Sequence, residues 1–63
     1  MTKTEAYNRA KFLSKRDGIV IYIVLDSAGE TGYDIADDRD MDTFYLGLKP
    51  IDAYVGGKLD YVS

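Results

Sequence analysis

With 63 residues, 46% hydrophobic and 30% charged, the chain has the composition of a folded globular protein and the length of one domain, residues 1–63. It contains no cysteine and no histidine. That excludes disulfides, ordinary zinc and iron–sulfur centres, thiol nucleophiles and histidine acid–base chemistry. The net charge of −3 is unevenly spread: residues 1–25 hold five cations against two anions, and residues 26–63 hold three against nine.

A helix is predicted over Thr4–Arg16, with Thr4 as its cap. Ala6, Ala10 and Leu13 form one apolar stripe. Lys15 and Arg16 suit the negative end of the helix dipole, and Asp17-Gly18 ends the element. Tyr7 and Phe12 lie roughly 140° apart on the helical wheel, so one of them is expected to be peripheral.

Gly18–Leu25 is the clearest strand, rich in β-branched residues. Ile19, Ile21, Ile23 and Leu25 point one way, and Val20, Tyr22 and Val24 the other. Both faces are apolar, as in a central strand covered on both sides. Asp26–Gly32 reads as a polar turn and Tyr33–Ala36 as a second strand, completing a hairpin. Asp37–Asp42 is an acidic connection of about one helical turn. Thr43–Leu48 reads as a third strand, interrupted before Pro50.

Gly56-Gly57 is a two-residue hairpin signal between Ile51–Val55 and Lys58–Val62. It pairs Val55 with Lys58, Tyr54 with Leu59, Asp52 with Tyr61 and Ile51 with Val62. A helix opening at Pro50 also fits, with Ile51, Val55 and Leu59 at i, i+4 and i+8. Two adjacent glycines inside it would cost about 2 kcal/mol, which favours the hairpin. The expected fold is α+β, an N-terminal helix packed on a small antiparallel sheet of four to five strands.

Little in the chain points to catalysis. Ser14, Ser27 and Ser63 are scattered and lack a histidine to activate them. Asp38, Asp40 and Asp42 alternate like the start of a calcium loop, but Thr43 replaces its turn glycine and Lys49 its bidentate glutamate. Gly29–Gly32 and Gly56-Gly57 are too short to cradle a phosphate. No catalytic residue, cofactor or metal ligand is assigned, and a non-enzymatic role is expected.

Arg9, Lys11, Lys15 and Arg16 give the helix the cations a nucleic acid would need. The sequence pI of about 4.6 opposes this, so direct nucleic-acid binding is not expected. The converse is open: Asp34, Asp37, Asp38, Asp40 and Asp42 can imitate a row of phosphates.

The strongest indication is geometric. A helix of about 13 residues is roughly 20 Å long and covers one face of a small sheet. Val20, Tyr22 and Val24 then need a second cover. Alternation allows Tyr45 and Tyr54 to join them, with Leu59 and Tyr61 at the margin. Such a tyrosine-rich face suits a partner or a homodimer. The alternative cover is the C-terminal hairpin folding back.

These features lead to an expected protein-binding module, an inhibitor or regulator of a larger enzyme in the manner of a phage-type accessory protein. Its expected contact residues are Tyr22, Tyr45, Tyr54, Asp37, Asp38, Asp40 and Asp42. The alternatives are an acidic nucleic-acid mimic and a small-molecule binder with a pocket between subunits. The longest apolar run, Ile19–Leu25, falls short of a membrane span of about 20 residues, and the N-terminus has no hydrophobic signal region. A soluble cytoplasmic protein is expected.

Overall fold

The computed structural model describes residues 1–25 and 32–60. Helix α1 (Lys3–Asp17) begins slightly earlier than its apolar stripe suggests, because Thr2 is the cap. The Thr2 hydroxyl accepts the Glu5 N–H and the Glu5 carboxylate accepts the Thr2 N–H, both at 3.2 Å. This reciprocal pair satisfies two donors that a bare helix start would leave open. Gly18 closes α1 in the left-handed region, φ +65°. Ala6, Ala10 and Ser14 are fully buried along one stripe, and their small size lets the helix sit close to the sheet. Of the two flanking aromatics, Phe12 is the peripheral one.

Strand β1 (Val20–Leu25) pairs antiparallel with β2 (Tyr33–Ala36) on one edge and with β3 (Asp52–Val55) on the other. Strand β4 (Lys58–Leu59) follows β3, giving the order β2-β1-β3-β4. The Gly56-Gly57 hairpin forms with Val55 opposite Lys58 and Tyr54 opposite Leu59, so the helical alternative for this segment does not occur. The Asp60 N–H continues the pairing to the Ala53 carbonyl at 2.9 Å. The expected pairings of Tyr61 and Val62, the place of Tyr61 at the sheet margin and most of the 26–32 turn lie outside the described residues.

Helix α1 packs on Ile21 and Ile23, joined at the margins by Leu13, Tyr33, Ile35 and Tyr54. The second face is covered too, which corrects the expectation that it stands open. Both β2 and β3 run antiparallel to β1, so they run parallel to each other with β1 between them. Their connection must therefore cross a face of the sheet, and α1 already occupies the other one. Residues 37–51 make that crossing. They contain the short helix α2 (Asp38–Asp42) and a run of turns. Beneath this strap Val24 is 0% exposed and Ala36 and Ala53 are buried, while Val20 and Tyr22 are half-buried. The hairpin does not fold back; it extends the sheet.

The strand expected over Thr43–Leu48 is also corrected. Asp37 caps α2, accepting the Asp40 N–H at 2.9 Å. The Asp40 carbonyl then accepts the N–H groups of both Thr43 and Tyr45, at 3.2 and 2.9 Å. Leu48 N–H returns to the Tyr45 carbonyl, with Gly47 at φ +84°. These coiled bonds hold the backbone away from extension. Both edges of β1 are also taken, so the segment has no strand to pair with there. Among the described residues, no helix is long and apolar enough to cross a membrane.

Candidate interaction surface

The strap gathers most of the residues singled out from the sequence. The Tyr22 hydroxyl donates to Asp38 Oδ1 at 2.9 Å, and the Tyr45 hydroxyl donates to Asp34 Oδ2 at 2.6 Å. Both rings are half-buried. They act as latches between strap and sheet, tying α2 to β1 and the following turn to β2. The bond to Asp38, then burial, pushes the Tyr22 hydroxyl pKa above its ordinary value.

Tyr54 is placed elsewhere. The register sets Tyr22 beside Ala53 and Ile21 beside Tyr54, so Tyr54 faces α1. There it meets Tyr7 edge to face, with ring centroids 6.1 Å apart. Its expected place beside Tyr22 on the second face is corrected by this one-residue offset.

The carboxylates divide by what they hold. Asp37 and Asp40 cap α2 reciprocally. Asp34 accepts its own neighbour's amide, Ile35 N–H, at 2.8 Å as well as the Tyr45 hydroxyl. Asp38 receives Tyr22. Asp42 has no hydrogen bond among the described residues. The segment 37–42 carries four aspartates against Arg39, a local charge of −3. Among the described residues no three acidic side chains are grouped to hold a metal ion.

The residues missed by the sequence reading stand beside this acidic turn. Phe44 is 86% exposed and Leu46 is 75% exposed, and Leu48 is also exposed. A shallow hollow of about 370 Å³ lies against Phe44, lined by Asp34, Ile35, Asp40 and Tyr45. Alternation in 43–48 is the signal that would have found them. It sets Phe44, Leu46 and Leu48 on one side and Tyr45 on the other, and Tyr45 is the side chain that turns inward.

A second concavity, of about 500 Å³, runs along the flank of α1. Phe12 and Leu13 supply its apolar surface, and Glu5, Arg9 and Arg16 its polar rim. The Arg16 guanidinium lies 5.5 Å from the Phe12 ring centroid and is paired with Asp17 at 2.9 and 3.1 Å. The ring is 61% exposed. No protein-family model matches the chain, and no curated protein or solved structure is significantly similar to it.

Proposed function

We propose that this protein is a non-enzymatic binding module that recognises another protein through the strap. The observation that carries the reading is the exposure of Phe44 and Leu46 on a turn that follows the acidic segment 37–42, of charge −3. Two large apolar side chains displayed together have no role in the chain's own core. Aromatic and aliphatic anchors of this kind supply most of the energy in protein interfaces. The flanking aspartates suit a partner that surrounds an apolar pocket with lysine or arginine, which speeds association and selects against acidic surfaces. Inhibition or regulation of a larger enzyme is the role that fits a module of this size.

Phosphate mimicry draws less support. Of Asp34, Asp37, Asp38, Asp40 and Asp42, only Asp38 and Asp42 are exposed, and Asp38 already receives the Tyr22 hydroxyl, so the set falls short of a solvent-facing row of phosphates.

The test is affinity capture from host lysate with wild-type protein and with Leu46→Asp as parallel baits. Wild type is expected to retain a basic-surfaced protein, to release it as salt rises, and to outperform the variant at least about tenfold, or roughly 1.4 kcal/mol. The same proteins recovered equally by both baits would remove the reading.

A further inference from the structure

The exposed apolar side chains of the strap and the groove along α1 are complementary in shape and opposite in charge. Building on the strap as a protein-binding surface, we propose that one partner it accepts is a second copy of this chain, whose α1 flank receives Phe44 and Leu46. The knob is apolar and acidic: Phe44 and Leu46 project beside the four aspartates of residues 37–42. The receiving side is apolar and basic. Phe12 and Leu13 floor a groove of about 500 Å³, within the size range of sites that bind small apolar groups. Of the charged side chains, Arg9 and Arg16 line the groove against Glu5, so a lining of net +1 meets the strap's −3.

Phe12 gives the groove a second reason to take an aromatic ring. One of its faces is already stacked near Arg16, and much of its remaining surface is exposed. Phe44 can meet it in an edge or offset geometry, and such pairs add about 0.5–1.5 kcal/mol to burial alone. Arg9 makes no ion pair among the described residues and is left to meet a carboxylate of the incoming strap.

The contact is heterologous: a knob on one copy meets a different surface on the next. Each copy therefore has a knob and a groove, and the two can be disabled separately. Phe44→Asp removes the knob and keeps the groove. Phe12→Asp removes the groove and keeps the knob. Both positions are largely exposed, so neither change empties the core. Arg9→Glu offers a groove variant that retains the aromatic ring.

Sedimentation velocity on purified protein decides the matter, with circular dichroism confirming that each variant is folded. Wild type is expected to show a sedimentation coefficient that rises with concentration, with a dissociation constant on the order of 100 μM, and to lose association as salt rises. Each single variant is expected to be at least about tenfold weaker. An equimolar mixture of Phe44→Asp and Phe12→Asp is expected to recover a 1:1 complex, because one intact knob still meets one intact groove.

A wild-type coefficient that stays flat to about 1 mM overturns the second copy as occupant. If Phe44→Asp nevertheless loses a protein captured from lysate, the strap still binds a different chain and the functional reading stands. If capture also survives Phe44→Asp, both fail. Association that persists in both variants, or no recovery in the mixture, places any self-contact elsewhere and overturns the proposal.

Discussion

Tyr7 shows how one side chain joins layers of the molecule. Its ring packs at the edge of the core against Tyr54, and its hydroxyl donates to the Asp52 carboxylate at the start of β3. Burial, followed by the bond to Asp52 and that residue's charge, pushes the hydroxyl from 10.0 up to about 12. The raised value favours the neutral form in the folded state. Its stabilisation is complete below pH 10 and is lost as pH rises towards 12. An ultraviolet titration of the folded protein is expected to show one tyrosine ionising near pH 12. In Asp52→Asn that value falls but stays above 10, because burial is the larger cause and persists. A spectrum in which Asp52→Asn leaves the high-pH step untouched would separate the hydroxyl from the carboxylate. Nothing in the sequence connects Tyr7 to Asp52, which are 45 positions apart. The helical wheel did indicate that Tyr7 and Phe12 could not both be well covered, and the structure covers Tyr7.

Between elements, the turn of the second hairpin is fastened to α1. Gly57 N–H donates to the buried Ser14 hydroxyl at 2.9 Å, and that hydroxyl donates to the Lys11 carbonyl at 3.1 Å. Gly57 has φ +86°, and a Cβ there would meet Lys15 Cβ at 2.9 Å. Gly56 is also left-handed, at φ +59°, but a Cβ there meets nothing within 4 Å. The pair is a controlled comparison. Gly56→Ala is expected to cost only the backbone term, about 1 kcal/mol. Gly57→Ala adds displacement of the helix and is expected to cost about 2–3 kcal/mol in chemical denaturation. Equal losses would mean that the turn and helix are not in close contact. The hairpin and its register were readable from Gly56-Gly57 and the flanking alternation, since turn chemistry is local. The misread strand at Thr43–Leu48 has the opposite origin. Its residues alternate well enough for a strand, but its conformation depends on the α2 cap and on the availability of a sheet edge.

At the scale of the molecule, topology decides which surfaces remain for a partner. A short helix does leave half of β1 uncovered, as the sequence indicated. The missing cover is the chain's own β2–β3 connection, which follows once β3 is known to pair on the far edge of β1. That pairing is non-local and no residue pattern announces it. The consequence is an exchange: Val20, Tyr22 and Val24 are covered or half-covered, while the outer side of the strap presents Phe44 and Leu46. The cover itself is thin. Among the described residues, two tyrosine–aspartate bonds, the Ile51 N–H bond to the Ile23 carbonyl and a five-residue helix with no buried residue hold it to the sheet. A segment of this kind opens at lower free energy than the sheet beneath it. The double change Tyr22→Phe, Tyr45→Phe keeps both rings and removes both latches, each bond being worth about 0.5–1.5 kcal/mol net. Amide exchange at Met41, Thr43, Tyr45 and Leu48, whose N–H groups bond within the strap, is then expected to accelerate roughly 5- to 150-fold if the two losses add (about 1–3 kcal/mol). Exchange at Ile21 and Ile23, pinned between α1 and the paired strands, is expected to change far less. Equal acceleration at strap and sheet would show that the two open together, with the strap an integral part of the cooperative core rather than a separately latched cover.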